Sequence, residues 1–421
     1  MASIVIRSAE IVDSLSELNG SIRSILIENG FIKKISEKEL SGDTIIEGKG
    51  LKVSLGWMDM RVTTGDPGHE YKEDLKSACN AAMQGGFTCI AVLPNTVPPI
   101  QNKESVEYIL SKTRENLVDV YPIAALTLNN KGEELTEILD MNASGAIAFS
   151  DGTKPIWHSD LLLRALLYLQ PINGQLIEHA EDKYLSHDGQ MNEGKTSTML
   201  GLKGLPKLSE QIIVERDLSI LEYTGGKIHF AHISSPKSLE FIKEAKKKGI
   251  QVTCDIAAYQ LVLDDTLLDS FDTNLKVNPP LRSKRDIDAF WKYLNDGTID
   301  AIVSDHVPQD TECKELEFDQ AEFGMIGLET VFGLINTHNP KLELSKLIDK
   351  ITIGPRKVLT MELPSIKEGS KANLTIFSTD QEWILTKKDL RSKSVNTPFI
   401  GKKMKGRAIA VINNNQVTRV Q

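Results

Sequence analysis

From Leu55 to about Pro364 the chain repeats one rhythm, a short apolar run followed by a polar or amphipathic stretch of roughly 10–15 residues. The runs read as strands at Gly56–Val62, Thr88–Leu93, Val120–Leu126, Ala146–Phe149, Gln175–His179, Lys227–His232, Gln251–Ile256 and Ala301–Val303. Helical periodicity between them is clearest over Glu104–Asn116, Pro236–Lys248 and Lys284–Tyr293. Eight strands separated by helices predict a (β/α)8 TIM barrel. The flanks read differently. Before Lys52 the apolar residues alternate, and Asn29-Gly30 sits between two such runs as a hairpin turn, so antiparallel strands are expected there. Alternation returns at Asn373–Phe377, Ala408–Ile412 and Gln416–Val420. The expected organisation is a barrel over residues 55–364 beside a small β-sandwich domain built from both termini, residues 1–54 plus 365–421.

Composition narrows the function. Forty-nine Lys and Arg against 58 Asp and Glu leave a net charge of -9, which argues against a nucleic-acid protein. No apolar run reaches the roughly 18 residues that a membrane span needs. The N-terminus lacks the pattern of a signal peptide, so the expected location is cytoplasmic. Cys79, Cys89, Cys254 and Cys313 are scattered without a CxxC spacing and read as reduced thiols.

Barrel chemistry collects at the C-terminal ends of the strands. Those ends read Asp59-Met60-Arg61-Val62-Thr63-Thr64-Gly65, Leu93-Pro94-Asn95-Thr96, Phe149-Ser150-Asp151-Gly152, Glu178-His179, His229-Phe230-Ala231-His232 and Ser304-Asp305-His306. Two His and two Asp at separate strand ends are residues of metal-ligand type. Considered alone, His179 and His232 could equally be satisfied core histidines, Asp305-His306 a turn, and Asn95 and Asn278 turn-makers beside proline. His69, His158, His187 and His338 have no strand-end context and are expected on solvated loops or helices, while Arg282 reads as a structural ion-pair donor.

With Met191-Asn192-Glu193-Gly194, Asn278-Pro279-Pro280-Leu281-Arg282 and Phe323 through Thr330, these stretches resemble a dihydroorotase of the amidohydrolase superfamily over nearly the whole chain. The resemblance implies a metal-dependent barrel interconverting carbamoyl-aspartate and dihydroorotate in pyrimidine synthesis. By the same resemblance Asp151 matches a bridging carboxylate, His179 and His232 the ligands of a second metal, Asp305 the general acid/base, and Asn95 and Asn278 substrate contacts. The chain also departs from the pattern. Where the family carries His-x-His it has Arg61 and Thr63; the following Arg is Gly65; the second His after strand eight is Gln309; and Pro-His-His after strand seven is Ala258-Tyr259-Gln260. A guanidinium stays protonated and offers no lone pair, so Arg61 cannot ligate.

Two expectations follow. In one, Arg61 replaces the metal charge, points into the barrel mouth and pairs with Asp305, Asp151 or both; at about 4 Å and an effective dielectric near 20, such a pair is worth about 4 kcal/mol before desolvation. The protein is then a non-catalytic, pseudoenzyme-like homologue, and the resemblance implies a structural partner of aspartate transcarbamoylase and a homodimer. In the other, Asp151, His179 and His232 hold a single zinc ion at the second position, none sits at the first, and Asp305 serves an active cyclic amidohydrolase.

Overall fold

A computed structural model describes residues 3–420. Eight parallel strands follow one another around a barrel: Trp57–Val62 (β1), Phe87–Val92 (β2), Asp119–Ala125 (β3), Ala148–Ser150 (β4), Leu176–Glu178 (β5), Ile228–Phe230 (β6), Val252–Ala257 (β7) and Ala301–Val303 (β8). The pairing runs in sequence order from β1 to β8, and a bridge between Val62 and His306 closes the ring. Each strand lies within two residues of its expected place. β1 and β2 are buried along their whole length, as strands with helices outside and packed side chains inside must be.

The floor of the barrel is apolar: Met58, Met60, Ile123, Ile177 and Val303 pack there against Val358 and Leu359. Helices form the outer layer, and local chemistry sets their ends. Leu75–Gly85 starts at a capping box between Asp74 and Ser77 and stops at Gly86, whose φ of 94° suits glycine. A Cβ there would also come within 2.7 Å of the Trp57 ring.

Both chain ends join one eight-stranded sheet. Its main path runs Gln416–Arg419, Lys403–Asn413, Leu374–Ile384, Lys52–Leu55, Ser3–Ile11, Ile22–Glu28 and Phe31–Ser36. Asn29-Gly30 makes the expected hairpin, with Glu28 opposite Phe31. The expectation of purely antiparallel strands before Lys52 is corrected: Thr44–Ile46 and Lys52–Leu55 pair parallel to Ser3–Ile11. After the edge strand Phe31–Ser36 the chain crosses back to the far side of Ser3–Ile11, and such a crossing delivers strands in the same direction. The hairpin Leu374–Ile384 and Lys403–Asn413 also extends well past its apolar segments. Its polar outer part leans on the helix Val331–His338, where Asn336 Nδ2 donates to Thr379 O and Lys405 O.

Candidate active site

A cavity of about 680 Å³ opens at the C-terminal end of the strands, the size of a small-molecule site. Arg61, Asn95, His179, Asn278 and Asp305 line it. The pairing of β1 with β2 slips between Asp59 and Val62, an irregularity of the kind that redirects side chains near sites. Met60 stays in the floor while its neighbour Arg61 faces the cavity.

Arg61 is only 2% exposed. Its Nε donates to Asp305 Oδ1 at 2.9 Å, and its Nη2 lies 3.4 Å from Gly152 O and 3.2 Å from His232 Nε2. Of the two carboxylates considered, the guanidinium therefore meets Asp305 and not Asp151. The other Asp305 oxygen accepts a 2.6 Å hydrogen bond from the Tyr259 hydroxyl. Burial, together with the Asp305 charge, holds the Tyr259 phenol well above its ordinary pKa, so it donates as a neutral group. Arg61 and Tyr259 occupy two of the positions where the chain departs from the family pattern, and they converge on one side chain. Tyr259 carried no site expectation, because nothing in a lone Tyr 46 residues from Asp305 signals such a contact.

Asp151 is held elsewhere. Its oxygens accept from Thr127 N at 2.8 Å and Thr127 Oγ1 at 2.5 Å. Burial raises its pKa to about 6 against the pull of those donors. The turn after it is built around Gly152, with φ of 66°, where a Cβ would meet Asn95 Oδ1 at 1.8 Å. Asn95 pins this turn, accepting from Thr153 N and donating to Asp151 O.

His179 and His232 stand side by side, ring centroids 4.9 Å apart. His232 and Asp305 both hold left-handed backbone, φ 41° and 47°, a strained conformation for side-chain-bearing residues. Behind His232, Asp255 accepts from the His232 N–H on one oxygen, and its other oxygen lies 2.9 Å from Nε2 of the buried His229, an arrangement that fixes the loop. Burial, then the Arg61 charge, hold His232 well below its ordinary pKa, so the ring is neutral. Its Nε2 lies 3.2 Å from both Arg61 Nη2, a donor, and the Asn278 carbonyl oxygen, an acceptor. His179 Nε2 lies 3.4 Å from Glu181 Oε2, which also receives Asn278 Nδ2 at 2.7 Å. Burial alone would raise the Glu181 pKa; the His179, Ser186 and Asn278 contacts outweigh it and bring it to about 2.

This arrangement does not fit the metal. Donors face the carboxylates, Thr127 at Asp151 and Arg61 with Tyr259 at Asp305, and Arg61 stands beside His232. Among the described residues no group of three His, Cys, Asp or Glu could hold a metal ion. Of the expected single-zinc set, the rings of His179 and His232 are neighbours, while the Asp151 carboxylate accepts its hydrogen bonds from Thr127.

The remaining departures are also settled structurally. A Cβ on Gly65 would stand 2.0 Å from His69 O, so the loop has closed over the place where a longer side chain would start. Gln309 accepts from Lys72 Nζ at 2.7 Å and donates to Phe323 O, bringing Lys72 to the cavity. His306 is structural, its Nδ1 accepting from Gly327 N and its Nε2 facing the buried Glu73. Arg282 is not a direct ion-pair donor: it gives its hydrogen bonds to Ser234 Oγ, Asn192 Oδ1 and Leu205 O. His69 and His187, expected simply on solvated loops, lie at the cavity wall.

Comparison with known proteins agrees with this architecture. Residues 51–238 match the family described as Dihydro-orotase-like. A dihydroorotase of Acetivibrio thermocellus is 41% identical over 422 residues, covering 99% of each chain. One of Syntrophus aciditrophicus is 40% identical over 420 residues, covering 98% of each. In fold, the chain superposes on an L-hydantoinase (dihydropyrimidinase) from Arthrobacter aurescens with a TM-score of 0.88 at 22% identity, covering 100% of this chain and 96% of that one. Similarity at this level along the full length makes the chain a member of the dihydroorotase family.

Proposed function

We propose that this dihydroorotase-family barrel works by binding and not by hydrolysis, with aspartate transcarbamoylase as its partner. The observation that carries the reading is the buried Arg61–Asp305 pair at 2.9 Å, closed on its other side by Tyr259. In this reading Arg61 is the cation that replaces the metal charge. Asp305, matched by resemblance to the general acid/base, accepts from Arg61 on one oxygen and from Tyr259 on the other. Generating a hydroxide at neutral pH by lowering the pKa of a bound water is the chemistry a metal supplies, and among the described residues no group of three ligand-type side chains is gathered to hold one. The preserved barrel then serves as a scaffold, and the partner assignment follows from the resemblance of degenerate dihydroorotases to assembly subunits.

The test has two arms. Purified protein, incubated with zinc, is assayed with dihydroorotate and carbamoyl-aspartate; turnover above the protein-free rate overturns the non-catalytic reading. Co-expression with aspartate transcarbamoylase is expected to change that enzyme's size on gel filtration or its activity, and no change in either removes the partner.

Two observations favour a second reading, an active cyclic amidohydrolase: the cavity stays open, and the relatives at about 40% identity carry the name dihydroorotase. Under this reading the zinc-loading assay gives turnover, and elemental analysis finds bound metal.

A further inference from the structure

More than half of the buried side-chain polar atoms that find no hydrogen-bond partner among the described residues belong to residues lining the cavity at the barrel mouth. They divide by chemistry. Arg61 Nη1 is a donor that neither Asp305 nor His232 uses, and Thr63 Oγ1, two residues on, can donate as well. Asn278 Oδ1 and Gln190 Oε1 are acceptors. Their orientation is fixed from behind: Asn278 turns its Nδ2 to the Glu181 carboxylate, and Gln190 turns its Nε2 to Asp188 O. Lys72, brought in by Gln309, adds a second cation to the lining. Leaving such groups unpaired in a buried wall is unfavourable, and Arg61 is itself almost wholly buried.

We infer that the metal position has become an anion position: the mouth binds a small carboxylate whose oxygens meet Arg61 Nη1 and Thr63 Oγ1 and whose N–H meets Asn278 Oδ1 or Gln190 Oε1. This rests on the non-catalytic reading and adds a ligand to it. The carboxylate lies at the β1 end of the cavity, on the side chains that stand in place of the imidazole pair. It does not lie at Gly65, where the loop leaves no room for a side chain. Charge-assisted bonds from a buried guanidinium are the strong ones, so the negative charge of the ligand, not its shape alone, decides binding.

The experiment is a calorimetric titration of the full-length protein with N-acetyl-L-aspartate, in buffer containing a chelator, beside its neutral diamide, N-acetyl-L-asparaginamide. Saturable binding of the acid at up to millimolar concentration is expected, with the diamide at least about tenfold weaker. Thr63→Val, which leaves the Arg61–Asp305 pair in place, is expected to weaken the acid by about tenfold, as loss of one hydrogen bond to a charged group does. Arg61→Met should weaken it further, and Thr63→Val carries the test if Arg61→Met does not fold. No saturation by the acid, equal affinity for the diamide, or unchanged affinity in Thr63→Val overturns the anion site. The titrated samples are then examined for released acetate. Binding with hydrolysis refutes the non-catalytic reading and leaves the site standing, whereas absence of binding refutes the site and leaves that reading untouched.

Discussion

Replacing Arg61 with methionine removes the charge of the barrel mouth while keeping most of the side-chain length. At 2.9 Å and an effective dielectric near 20, the Arg61–Asp305 attraction is about 6 kcal/mol before desolvation. Most of that offsets the desolvation of two side chains that are 3% and 5% exposed. The measurable loss on removing one partner of a buried pair is therefore about 3–5 kcal/mol. The Tyr259 hydroxyl stays on Asp305 and continues to stabilise the carboxylate, which places the expected loss near the lower end, about 3 kcal/mol. Equilibrium urea unfolding reads it directly. The double variant Arg61→Met with Asp305→Asn is decisive, because it removes the stranded charge as well. It should recover at least about 2 kcal/mol of the loss. If Arg61→Met loses under about 1 kcal/mol, or if adding Asp305→Asn deepens the loss, the guanidinium is not neutralising Asp305 and the reasoning fails.

Three further outcomes follow from the site. Glu181 has its pKa depressed to about 2 from 4.5, so its contribution, about 3 kcal/mol, is present above pH 4.5 and is lost as the pH falls toward 2. Glu181→Gln should therefore be clearly less stable than the parent at pH 7, with a gap that narrows below pH 4; a gap independent of pH in urea unfolding contradicts the assignment. Asp151 has the opposite sign: its pKa is raised to about 6, so its contribution is full below pH 3.8 and declines as the pH rises through 6. Thr127→Val, which removes the 2.5 Å bond to Asp151, should raise that pKa further, as read by carbon NMR of the carboxyl, and destabilise the protein by about 1–3 kcal/mol at pH 7. Gly152→Ala should lose at least about 2 kcal/mol in thermal or urea unfolding, from positive φ combined with the collision against Asn95. An unchanged midpoint would mean that the turn is not built as described.

The barrel was legible because its strands are short apolar runs whose burial on both faces leaves little ambiguity about type. The parallel return of Thr44–Ile46 and Lys52–Leu55 was not, since alternation reports that a strand is half-buried and says nothing of its direction. The outer hairpin was missed because polar residues such as Glu382 and Lys405 dominate there, and its partner helix supplies the ordering. Within the site, the pairing of Arg61 with Asp305 could be anticipated because both sit at strand ends that any barrel brings together. Thr127, Glu181 and Tyr259 could not. Each acts through a few hydrogen bonds made after a strand has ended, and Thr, Glu and Tyr are too common for that role to leave a mark on the sequence.

The loop through Gly65 couples one residue choice to a whole stretch of backbone. Restoring two imidazoles at positions 61 and 63 needs only point changes, but an arginine at 65 would collide with the carbonyl of His69 before its side chain had even begun. Any longer side chain at 65 requires the backbone from Gly65 to Glu73 to be rebuilt with it, so residue and loop can change only together.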